Sequence, residues 1–168
     1  MAHPIGSVDL DAVLAAIRAR PGPVRLVAID GPGGAGKTTF AARLAEAAGG
    51  APVLHTDDFA SEDEPIDWWP TMLRDAIEPL AGGEAAAGIE PAPMVLVEGV
   101  TSGRAEWAAH LAFVIWIETP EAVRLDRVVE RDGPAAAEDW AGGSAAEAAH
   151  YERDDVRARA DLVIDGRA

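Results

Sequence analysis

Apolar and polar positions follow two rhythms along this chain. From Asp9 to Arg20 the apolar residues Leu10, Val13, Leu14 and Ile17 fall on one helical face, with Ser7 as a candidate cap and Pro21-Gly22-Pro23 as the stop. "VRLVAID", Val24 to Asp30, is instead a short, nearly unbroken apolar run, the pattern of a parallel strand buried on both faces. Helical spacing resumes from Lys37 to about Ala48 and ends at Gly49-Gly50; "PVLHTDDF" then reads as a second strand ending in two carboxylates. Pro70 to Leu80 is expected to be helical and Gly82 to Pro93 a loop. "MVLVEGV" (Met94 to Val100) and "LAFVIWIET" (Leu111 to Thr119) are two further buried strands. Glu121 to Arg131 follows as a helix with Pro120 suited to its first turn. Ala145 to Ala160 predicts a last helix, and "DLVIDG" a fifth short strand. Strands alternating with helices specify an α/β fold, a parallel sheet with helices on both faces.

Composition narrows the function. The 168 residues read as one domain, 1–168, with residues 1–22 forming a helix ahead of the core. The net charge of −15 argues against a sequence-independent grip on nucleic acid. No apolar run approaches the roughly 20 residues of a membrane span, and no signal-peptide order opens the chain, so a cytoplasmic, membrane-free protein is expected. There is no cysteine, hence no disulfide or thiolate chemistry. The basic residues are thirteen arginines and a single lysine, Lys37.

That lysine lies in Gly31-Pro32-Gly33-Gly34-Ala35-Gly36-Lys37-Thr38, which fits G-x-x-x-x-G-K-[ST] at every position; Thr39 follows. The motif stands between a strand and a helix, as a phosphate-binding loop requires. Gly31, Gly33, Gly34, Ala35 and Gly36 let successive N–H groups turn toward an anion at a helix N-terminus. Lys37 offers a compact ammonium to the β- and γ-phosphates where arginine's wider guanidinium would not fit. Thr38 offers a hydroxyl to Mg²⁺. The expected ligand is ATP or GTP.

Carboxylates gather at the same sheet edge. Asp57 or Asp58 is placed to hold Mg²⁺ or to orient and deprotonate an acceptor hydroxyl. Glu98 ends a buried strand, where Mg²⁺, a substrate hydroxyl or an arginine would offset its charge. Arg124, Arg127 and Arg131, at i, i+3 and i+7, share a helical stripe that suits a lid over phosphates or a salt-bridged surface. Trp68-Trp69 is a candidate wall for a substrate pocket. His55 is expected to be packed within its strand, and His3, His110 and His150 have no ligand-spaced partners.

Together these residues resemble the P-loop small-molecule kinases similar to uridine kinase, over Val24 to Gly166. The resemblance rests on "GPGGAGKTT", "DDF", "IDWW", "LVEG", "ETPEAVRLDRVVERD" and "RADLVIDG". It implies a P-loop NTPase fold, a five-stranded parallel sheet in the order 2-3-1-4-5. It further implies ATP and Mg²⁺ as cofactors and transfer of the γ-phosphoryl group to a hydroxyl of a small molecule. The family's base falls on Asp57, its strand-end glutamate on Glu98, near Mg²⁺ and the substrate, and its lid arginines on Arg124, Arg127 and Arg131. On this reading Asp58, Trp68, Trp69 and Glu98 face the acceptor, in a pocket between the tryptophans and the C-terminal helix. The family's longer insertion, rich in Tyr and Arg, is replaced here by "GGEAAAGIEPAP". A nucleotide-binding module without transfer is the second reading. A regulatory GTPase needs an N-K-x-D motif, which a chain whose one lysine is Lys37 does not contain.

Overall fold

The computed structural model describes residues 3–60 and 66–167. Among the described residues six parallel strands form one sheet: β1 (His3–Pro4), β2 (Arg25–Asp30), β3 (Val53–His55), β4 (Met94–Glu98), β5 (Leu111–Glu118) and β6 (Leu162–Asp165). Their spatial order is β3-β4-β2-β5-β6-β1. The five strands expected from the sequence therefore lie in the order 2-3-1-4-5, and β1 adds a two-residue edge beyond β6. A two-residue strand carries no period, so the sequence pattern could not announce it.

Each apolar run splits its side chains between two faces. Val27 and Ile29 join Leu14, Ile17, Phe40 and Leu44 on the face covered by α1 (Leu10–Arg18) and α2 (Lys37–Ala47). Leu26, Val95 and Val97 join Trp68, Met72, Ile77 and Trp107 on the other. That face is covered by α3 (Trp69–Met72) and α4 (Glu78–Ala81), joined by a π-turn at Leu73–Ile77. Glu78 N–H donates to Leu73 O, five residues back, just before Pro79, whose ring has no N–H to continue the α pattern. After β5 come α5 (Glu121–Asp132), α6 (Ala136–Arg153) and α7 (Val156–Arg159).

Several boundaries differ from the sequence expectation for local reasons. α1 is capped by Asp9, which accepts from Ala12 N–H, and Ser7 belongs to a preceding 3₁₀ turn. β3 stops at His55, and Thr56–Asp58 is a 3₁₀ turn rather than strand. The last predicted helix begins nine residues earlier, at Ala136, running through Gly142-Gly143. It breaks at Asp154, after which Asp155 caps α7 through Ala158 N–H. Between α4 and β4, residues 86–89 make a small hairpin turn that buries Ile89.

Register aligns the strand ends. Ile29 pairs with Glu98, His55 with Glu98, Asp30 with Trp116, and Glu118 with Asp165. The five longer strands end in Asp30, His55, Glu98, Glu118 and Asp165, so one edge of the sheet collects ionisable side chains.

Candidate functional site

Between β2 and α2 the loop Gly31–Gly36 curls over the sheet's C-terminal edge. Gly36 caps α2 at φ 104°, a left-handed conformation that disfavours any Cβ. Gly34 is also left-handed, at φ 74°, and a Cβ there would stand 2.8 Å from the Arg124 carbonyl oxygen. Lys37 opens α2 and is buried, with Nζ donating to Pro32 O at 3.0 Å. Burial lowers the Lys37 pKa, while the carboxylates of Asp30, Glu147, Glu98 and Asp57 oppose that shift.

A chain of polar contacts runs beside it. Thr38 Oγ1 donates to Glu98 Oε1 at 3.1 Å, and Glu98 Oε2 lies 2.7 Å from His55 Nδ1. Glu98 is 5% exposed, so these two neighbours supply the partners that a buried carboxylate needs. His55 is therefore not packed in its strand: its ring is 43% exposed and turned to Glu98.

Beneath the loop, Asp30 is fully buried and accepts from four donors. These are Gly31 N–H (2.7 Å), Thr101 N–H (3.0 Å), Gly103 N–H (2.8 Å) and the Tyr151 hydroxyl (2.7 Å). Burial raises the Asp30 pKa against the pull of those bonds, and burial beside Asp30 pushes Tyr151 well up. The network fastens the loop to the segment after β4 and to α6.

Above this network, Lys37, Thr38 and Glu98 open onto a cleft of about 440 Å³. Of the sequence-predicted site residues, Gly33, Gly34, Gly36, Lys37, Thr38, Thr39, Asp57, Glu98, Arg127 and Arg131 line it. Gly31, Ala35, Arg124, Asp58, Trp68 and Trp69 are not among the lining residues. Gly31 and Ala35 are buried within the loop. Arg124 braces the loop from behind: Nε donates to Thr119 O at 3.0 Å, a terminal nitrogen donates to Gly33 O at 3.1 Å, and the guanidinium stacks 5.2 Å from the Trp140 ring. Asp58 is exposed one position beyond Asp57 in the 3₁₀ turn.

The tryptophans correct the expected pocket. Trp68 is buried against Trp107, ring centroids 6.3 Å apart, and Trp69 lies 5.4 Å from the guanidinium of the buried Arg104. Trp68 belongs to the core on this face of the sheet and the half-buried Trp69 packs against it, and neither lines the cleft. Sequence spacing did not single out Gly99, Val100, Val128, Trp140 or Glu147, which also line the cleft. Glu147 is the most consequential of these, because Gly33 N–H donates to its Oε2 at 2.9 Å.

The arginines differ in freedom. Arg127 donates to Gly166 O at 2.6 Å and to the loop carbonyls of Gly34 and Ala35 at 3.3 and 3.4 Å. Arg131 is 70% exposed and forks onto its neighbour Asp132, which raises its pKa and lowers that of Asp132.

Among the described residues no cluster of three or more His, Cys, Asp or Glu side chains is arranged to hold a metal ion, and no helix is long and apolar enough to cross a membrane. Neither a family model nor a curated protein matches the sequence. Solved structures do match. One is a proposed fructose transport system kinase from Silicibacter sp. TM1040, with TM-score 0.69 and 23% identity, covering 94% of this chain and 99% of that one. A possible uridine kinase from Bacillus stearothermophilus has TM-score 0.63 and 20% identity, over 93% of this chain and 97% of its own. A gluconokinase from Sinorhizobium meliloti 1021 has TM-score 0.56 and 20% identity, over 89% and 86%. The resemblance to P-loop small-molecule kinases therefore holds at the level of fold.

Proposed function

We propose that this protein is an ATP- and Mg²⁺-dependent phosphotransferase that moves the γ-phosphoryl group onto a hydroxyl of a small molecule. The observation that carries the reading is the convergence at one cleft of Lys37, the Thr38–Glu98 contact at 3.1 Å, and Asp57. Lys37 and the amides of Gly31 to Gly36 hold the β- and γ-phosphates. The acceptor oxygen attacks the γ-phosphorus, the bond from that phosphorus to the β,γ-bridging oxygen breaks, and Asp57 takes the hydroxyl proton as ADP leaves. Arg127 and Arg131 offset the charge on the moving group.

A magnesium ion fits these residues as a nucleotide-borne ion. Thr38, Glu98 and Asp57 offer hard oxygen donors, and Mg²⁺ bound with phosphates needs only one or two carboxylates from a protein. It would neutralise phosphate charge there.

Colorimetric ADP release, with and without nucleosides, sugars and antibiotics as acceptors, tests the proposal. Release stimulated at least about tenfold by one acceptor class supports transfer. Nucleotide binding with release that ignores every acceptor favours the second reading, a nucleotide-binding module without transfer. Two features lend weight to that reading: the 86–89 turn puts only a small hairpin where an acceptor-binding insertion is expected, and Glu147 sits on a loop amide.

A further inference from the structure

We propose that Glu147 is an internal competitor for the phosphate loop, a residue that sets how strongly an anion must bind before it enters. The proposal rests on the nucleotide reading of the cleft. A loop that gathers N–H donors and an ammonium accepts anions, and here one of those donors already serves a carboxylate. Gly33 N–H donates to Glu147 Oε2 at 2.9 Å, across 114 positions of the chain.

The placement is built rather than incidental. From Trp140 to Ala149, α6 carries alanine, glycine and serine with Glu147 as its one charged residue. One turn further on, Tyr151 shares its face and is tied to Asp30 at 2.7 Å, which holds this stretch of helix over the loop. A Cβ at position 33 would stand 3.2 Å from Glu147 Oε1, so the carboxylate lies directly against the loop backbone. The carboxylate also acts on Lys37, where it counters the pKa lowering caused by burial. Glu147 thus engages both kinds of group that a phosphate would use.

An incoming phosphate has to displace this carboxylate from the amide or share the cleft with its charge. Apparent affinity falls by the fraction of molecules in which the amide is free. Every anion that uses the Gly33 amide meets the same penalty, so Glu147 sets the threshold of affinity for entry to the loop.

Isothermal titration with ADP, pyrophosphate and inorganic phosphate in EDTA tests this on the wild type, Glu147→Ala and Glu147→Gln. Glu152→Ala, an exposed acid on the same helix, serves as the control. Alanine is the best helix former, so α6 tolerates the change. Glu147→Ala is expected to bind ADP about tenfold more tightly, equivalent to about 1.4 kcal/mol. Glu147→Gln should gain less, because its amide oxygen still accepts from Gly33, and Glu152→Ala should change little. Pyrophosphate and inorganic phosphate should gain by a similar factor, since the same amide is freed for each. If the wild type binds ADP and Glu147→Ala binds it no more tightly, the competitor role is wrong while the nucleotide reading stands. Equal tightening by Glu152→Ala also overturns the role, since general charge relief would explain it. If no variant binds any of the three ligands, the nucleotide reading falls and takes this inference with it.

Discussion

The two walls of the cleft are built differently. The sheet wall places Lys37 and Glu98 at 7% and 5% exposure and ties them to Pro32, Thr38 and His55, with Asp30 locked beneath by four donors. The helical wall, from α5 and α6, carries Arg131 at 70% exposure, forked onto its neighbour Asp132 and attracted by Asp57, and Glu147 on a loop amide. Within α6, Gly142 and Gly143 are exposed, and a Cβ at either would meet nothing within 4 Å. Buried, multiply bonded groups keep their positions, whereas sparsely packed segments open at low free-energy cost. The helical wall is held at Arg124, Arg127 and Tyr151, which bond to the loop carbonyls and to Asp30, and is open at Arg131 and at Gly142-Gly143.

The largest expected effect breaks the sheet wall. Asp57→Asn should lower turnover about 10²- to 10⁴-fold and leave nucleotide affinity within about threefold, as loss of a general base does. Steady-state kinetics beside calorimetry checks this; full activity in Asp57→Asn with loss in Asp58→Asn would move the base by one residue.

His55 gives a smaller effect on the same wall. His55→Ala frees one oxygen of Glu98, so the Mg²⁺ concentration for half-maximal activity should rise about 10- to 100-fold, while ADP affinity in EDTA stays unchanged. His55→Gln, which keeps a donor, should restore part of it. A parallel loss of EDTA affinity would mean that His55 only supports the fold.

The smallest effect concerns α6 and pH. Burial lowers the His150 pKa, reinforced by Arg104 and opposed by Asp154 and Glu106. A group with a depressed folded pKa protonates first in the unfolded chain, so its contribution is complete above the unfolded value and is lost as pH falls through the folded one. Melting temperature should drop by about 1–3 °C more between pH 7.5 and 5.5 in the wild type than in His150→Gln. The same drop in both would remove His150 as the cause.

The sheet wall was also the more legible in sequence. Strand runs such as Arg25–Asp30 and the Gly31–Thr38 motif are local patterns, and strand ends share an edge in any parallel sheet, so Lys37, Thr38, Asp57 and Glu98 could be brought together on paper. The helical wall depends on contacts without local signature. Glu147 meets Gly33 and Tyr151 meets Asp30 from 114 and 121 residues away, and nothing in "GGSAAEAAHY" marks either. Trp68 and Trp69 differ for the opposite reason: aromatics beside a motif look like a pocket, yet Trp68 packs on Trp107 in the core and the half-buried Trp69 lies beside Arg104. His55 was hidden because its partner, Glu98, is fixed only by strand register.

Titration of ADP into the wild type and Lys37→Ala tests the central claim most directly. The wild type should bind with a micromolar dissociation constant, and Lys37→Ala should lose about 100-fold or more, because the ammonium is the one full positive charge on the loop itself. Equal binding by both proteins, or none by the wild type, would contradict the claim that this loop grips a nucleotide's phosphates.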